Sequence, residues 1–236
     1  MSETIELKRN YISVRGWNVI LYNVPSYGGS QSWFESKSLQ GYGCGLIGAA
    51  DVLLYLRGER FLKKPENKPE ENKKTTALTR MQKDSYLKYV EQQKKFFPVL
   101  PYFGMSGITL AVGLKAAFLR YHLQYKVRWG VPRKKIRTAI EEMLRDDIPV
   151  ILAVGPNFPF MWRKKGVPIY QQIETGEYYK SQEVRAHYVV ITGVLGKWLR
   201  ISSWGNEYFM DWEEYERYVK KMSWSLISNI CYIRKK

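Results

Sequence analysis

The chain has 236 residues, 45% hydrophobic and 25% charged, which excludes a disordered polar chain and suffices for a buried core. Its 38 Lys and Arg face 22 Asp and Glu, a formal charge of +16 that attracts polyanions through a field screened by salt. Two distant cysteines, Cys44 and Cys231, exclude a disulfide framework, and with only two histidines no metal-ligand spacing arises.

Residues 1–15 mix charges of both signs without an apolar core segment, so no secretory leader is expected. No apolar run reaches the length of a membrane span, and the expected compartment is the cytoplasm. "RNYISVRGWNVILYNVPSYGG", residues 9–29, alternates enough for one or two strands before a glycine-marked turn. "GYGCGLIGAADVLLYLRG", residues 41–58, predicts an apolar helix that starts at Cys44 and stops at Gly58. The charged segment 63–76, which opens "KKPENKPEENKK", reads as a solvated mobile loop.

Met81, Tyr86 and Val90 share helical spacing, and Ser106 is placed to cap a helix from Gly107. "HLQYKVRW", residues 122–129, alternates as a strand, with His122 on its polar face as a surface residue. Pro132 begins a further helix with Ile136, Ile140 and Met143 as its stripe. "PVILAVG" then reads as a buried strand, followed by strands in "VPIYQQI", "AHYVVITGVL", "KWLRISSW" and "SWSLISNICYIRK". The stretch "TGEYYKSQEVRA" between two of these reads as a loop, and Asp211 with Glu214 has capping-box spacing. Cys231, alternating with Ile227 and Ile233, reads as core. Helices first and strands second give an α+β class, one domain with a helix-rich lobe at about 30–129 and a strand-rich lobe at about 130–236.

Cys44 heads a helix, where unpaired N–H groups favour a thiolate. A lone cysteine there is more often a packing residue, so chemistry requires a partner. His187 stands at the mouth of its strand, where it can point into a cleft, although a satisfied interior histidine is the plainer account. A hairpin from that strand returns residues near 202 beside the imidazole, so a polar group there could accept the Nδ1–H bond and fix the tautomer that leaves Nε2 facing Cys44. Asp51 lies two turns beyond Cys44 and reads as a hydrogen-bonded structural carboxylate.

The order "GCG" opening a helix, "HYVVITGV" on a strand and "SSWG" after a hairpin resembles the papain-like cysteine peptidase superfamily, closest to its bacterial bacteriocin-processing, double-glycine branch. The resemblance implies a helical lobe carrying the cysteine, an antiparallel β lobe carrying the histidine, and a cleft between them. It implies Cys44 as nucleophile and His187 as base and then acid. Ser202 stands in the third position, usually Asn or Asp in the family, with Asn206 as its alternative. Gln40 is the candidate oxyanion donor, at a shorter spacing before the cysteine than usual, and Gln31 is the fallback. No cofactor or metal is implied, and the partner is a peptide or protein substrate.

Two other classes stay open. One is a peptide-binding module of weakened chemistry on the same fold, with Trp33, Tyr42, Tyr178, Tyr179 and Trp204 lining its cleft. The other is a polyanion or nucleic-acid binder using the "RKK" clusters at 133–135, 163–165 and 234–236. Dispersed basic residues make the second a weak, salt-sensitive interaction.

Overall fold

An almost unbroken apolar run, "HYVVITGVL", forms the central strand, as expected of a strand buried on both faces. A computed structural model of the chain describes residues 4–16, 24–58, 80–159 and 163–236. The segment 63–76 and residues 17–23 of the expected strand region lie outside the described residues. Before the charged segment come β1 (Thr4–Glu6), β2 (Ser13–Arg15), α1 (Lys37–Tyr42) and α2 (Cys44–Arg57). After it come β3 (Arg80–Gln82), α3 (Lys83–Gln93), α4 (Gly107–Arg120), β4 (Tyr125–Trp129), α5 (Ile136–Arg145) and β5 (Val150–Val154). The strand-rich half holds β6 (Val167–Gln172), β7 (Tyr178–Val184), β8 (His187–Leu195), β9 (Trp198–Ser203), β10 (Asn206–Asp211), α6 (Trp212–Met222) and β11 (Cys231–Lys235).

The class is α+β. A seven-stranded antiparallel sheet runs β1-β8-β9-β10-β6-β7, with β5 also paired to β8. β5 pairs residues 187–191 and β1 pairs residues 193–195, end to end along one edge of β8, while β9 takes the other edge. β4 pairs with β11 and β2 with β3 in two smaller sheets. Strands from before residue 130 thus complete two sheets of the later half. α2 is buried from Gly45 to Leu56 and packs Gly45 on the Tyr188 ring and Gly48 on Val190, which seats its first turn beside the start of β8.

Local signals worked where they were strong. Ser106 Oγ accepts from Thr109 N at the start of α4, and Asp211 accepts from the Glu213 and Glu214 amides at the start of α6. Glu214 does not complete a capping box, because its carboxylate accepts from the Tyr170 hydroxyl. The helix after Pro132 starts with a 3-10 turn at Arg133–Lys135.

Several expectations need correction or addition. "TGEYYKSQEVRA" is mostly strand β7; it is an exposed sheet edge, so no buried face imposes alternation on its side chains. "SSWGNEYF" contains a second hairpin, with β10 paired to β9. "SWSLISNICYIRK" is a strand only from Cys231; before it, a turn is held by Asn229 Nδ2 donating to Ser225 O and Ser228 N donating to Trp224 O. β3 precedes α3 where helix alone was expected, and His122 sits exposed in a turn before β4.

Candidate functional site

The head of α2 and the mouth of β8 meet at a small pocket of about 20 Å³, room for about one water. Cys44, Ile47, Gly48 and Asp51 line it from α2, and His187, Tyr188 and Val190 from β8. The β9–β10 hairpin contributes Ser202, Ser203 and Trp204, and the loop after β2 contributes Gly29 and Gln31. Cys44 and His187, distant in sequence, therefore share one pocket.

Cys44 is partly buried at the first position of α2, where Gly43 supplies no side-chain cap. Burial raises its thiol pKa above the ordinary value, and backbone N–H groups of Tyr188, Gly45 and Cys44 itself pull it partly back. The helix head thus does oppose desolvation, but does not overcome it.

His187 is buried, and burial lowers its pKa to about 4, so the ring is neutral at pH 7. Its Nε2 lies 2.8 Å from Ser203 Oγ. Nδ1 has no hydrogen bond among the described residues. With Nε2–H donating to Ser203, Nδ1 is the basic nitrogen, which reverses the expected roles of the two ring nitrogens. Trp204 stacks on the ring with centroids 4.4 Å apart and planes at 16°. To do so Trp204 takes φ +49, left-handed backbone unusual for a bulky residue, and Ala186 just before His187 has φ +48.

The expected third residue needs correction. Ser202 lines the pocket, but its Oγ donates to Tyr27 O at 2.8 Å, and the hydroxyl at the imidazole belongs to Ser203. Successive residues on a strand point to opposite sides, so one position decides which serine meets the ring. Asn206 Nδ2 donates to Trp204 O. Gln40 is exposed and donates to Phe34 O at 2.6 Å. The fallback, Gln31, is the glutamine that lines the pocket, and its Nε2 donates to Gln40 O at 2.6 Å. One of its two amide hydrogens remains for another acceptor.

Sequence reasoning missed the loop over the pocket. Asp51, buried, accepts from Tyr86 Oη at 2.6 Å, Gly29 N at 2.9 Å and Tyr11 Oη at 3.4 Å. Burial raises its pKa to about 6 while these donors pull down. The loop touches this network so closely that only glycine fits: Gly28 has φ +77, and a Cβ on Gly29 would lie 1.7 Å from Tyr86 Oη. The "GG" ahead of "SQ" was the available signal.

Of the aromatic residues expected in the cleft, Trp204 lines the pocket, and Trp33 packs edge-on against Tyr86. Tyr42 meets Tyr102, whereas Tyr178 stacks on Trp198 and Tyr179 bonds to Gln171, both on the β6–β7 side of the sheet. No cluster of three His, Cys, Asp or Glu suited to a metal occurs among the described residues. Cys231 is buried, and burial raises its thiol pKa further than the ordinary range. No family model, curated protein or solved structure matches the chain.

Proposed function

We propose that this chain is a papain-like cysteine hydrolase acting on a peptide or isopeptide bond. The observation that carries the reading is the pocket shared by the Cys44 thiol and the His187 ring, with Nε2 held by Ser203 and Nδ1 free as base. Both groups rest neutral, so the thiol is deprotonated during attack and not beforehand. As Sγ bonds to the carbonyl carbon, its proton passes to Nδ1. The developing oxyanion draws on nearby backbone N–H groups and the remaining amide hydrogen of Gln31. The imidazolium then gives its proton to the leaving amine, leaving a thioester. Water, losing one proton to Nδ1, attacks the thioester; the C–S bond breaks, the acid departs, and Nδ1 returns its proton to the Cys44 sulfur.

A second reading, a peptide-binding module, is favoured by the same neutrality and by the uncharged third residue, Ser203. Labelling with peptide acyloxymethyl ketones, read by intact mass, separates the two. Hydrolase chemistry predicts one adduct at Cys44, none at Cys231, and labelling slowed about 10²-fold or more in His187→Ala. Saturable peptide binding without an adduct would establish the module instead.

A further inference from the structure

α4 is apolar on two sides. Leu110, Leu114, Ala117 and Phe118 are buried in the core, yet Ile108, Val112 and Leu119 are 63%, 62% and 65% exposed on the outer side. The turn before the helix adds exposed Leu100, with Tyr102 and Phe103 at 82% and 87%. A surface helix ordinarily turns polar residues outward, and an exposed apolar patch of this kind marks an interaction site. Along the chain the charge around this segment has one sign: from Gln92 to Ile140 there are ten Lys and Arg and no Asp or Glu, with Lys115 and Arg120 on exposed positions of α4 itself. Two of the ten are paired with carboxylates just outside this run, Lys94 with Glu91 and Arg137 with Glu141.

The charge selects the occupant. A second copy would bring the same uncompensated positive field face to face. A bilayer bearing anionic lipid meets both halves of the surface. Tyr102 and Phe103 suit the headgroup boundary, the apolar side of α4 suits the interface plane, and Lys115 and Arg120 reach lipid phosphates. At 1.5 Å per residue the helix is about 21 Å long, enough to lie along the surface.

We propose that the Leu100–Phe103 turn and the outer face of α4 dock this protein on an anionic lipid bilayer. The Tyr102 ring lies 5.9 Å from Tyr42, two residues before Cys44, so docking sets the pocket beside the headgroups. Neither the surface nor its test depends on the thiol chemistry proposed above.

The experiment is co-sedimentation of the full chain with phosphatidylcholine vesicles, with and without phosphatidylserine. Binding is expected only with phosphatidylserine and is expected to weaken with salt, because each basic residue near the surface acts through screened charge. The double change Tyr102→Ser with Phe103→Ser leaves net charge untouched and is expected to lower affinity about tenfold or more, through the lost burial of two rings. Ile108→Ser with Leu119→Ser checks the helix face independently, and circular dichroism verifies that each variant is folded. Absence of binding to anionic vesicles at low salt overturns the proposal. So does binding that both double variants retain in full, which would reflect net charge alone. Self-association, or capture of an acidic polypeptide or nucleic acid, that the variants lose without any vesicle binding also overturns it.

Discussion

At the imidazole, one hydroxyl decides between chemistry and scaffolding. Ser203 bonds His187, whereas Ser202 ties the hairpin to the Tyr27 carbonyl. Ser203→Ala should lower turnover about fivefold to tenfold, the effect of one lost hydrogen bond, with little change in substrate KM. Ser202→Ala should reduce stability by about 1 kcal/mol and leave turnover nearly unchanged, as denaturant melts and kinetics would show. The pocket also sets a pH dependence. Unfolded, His187 titrates near ~6.5; folded, it titrates at about 4, so the unfolded state binds more protons between these values. Its contribution to stability is present above pH ~6.5 and is lost as pH falls through the folded value. Asp51 runs the other way: raised to about 6, it contributes most below its ordinary ~3.9 and loses that contribution as pH rises through 6. The two slopes oppose each other across mildly acidic pH. His187→Gln removes one of them, so its stability relative to the native chain should improve by about 3 kcal/mol between pH 7 and pH 4. Equal pH slopes for the two proteins would refute this. Cys44 and His187 were legible because a helix head and a strand mouth are local features. The choice between adjacent serines was not, because it depends on a register that shifts within the β8–β9 pair.

Among the elements, the β9–β10 turn holds a bulky residue of the pocket in left-handed backbone. Trp204 and Gly205 both have positive φ, at +49 and +77, a pattern that Asn-Gly meets more easily in a tight hairpin. Trp204→Asn should relieve backbone strain but remove the ring stacked on His187. An NMR titration should then find the His187 pKa moved up towards its ordinary range, and an unchanged value would show that the stack does not shield it. The loop over the pocket permits a complementary test. A Cβ at Gly29 would collide with Tyr86 Oη, so Gly29→Ala should destabilise by about 1–3 kcal/mol, measurable by denaturant melts. The helices were readable from signals within a few residues: Gly58 ending α2, Ser106 capping α4, and the Ile136, Ile140 and Met143 stripe of α5. β7 was not, since an exposed edge strand requires no apolar alternation, and its pairing to β6 is a tertiary fact.

Over the whole molecule, the α+β class followed from helices preceding strands, but the connections did not. Three residues at β1 join a strand nearly two hundred positions away, and β4 closes on β11 near the other end of the chain. Three residues are too few for a periodic trace at β1, and the alternation of β4 does not name the strand it joins. These pairings do fix an order of unfolding. β8 has neighbours on both edges over residues 190, 191 and 193–195, and its residues from Val189 to Val194 are buried. Its interior amides should therefore be among the slowest to exchange with deuterium, opening only when the whole sheet opens. The imidazole stands at the head of that strand, so the site is expected to open with the sheet. Heating should consequently abolish any activity of this pocket together with the sheet, in one transition, with no earlier loss at the site alone.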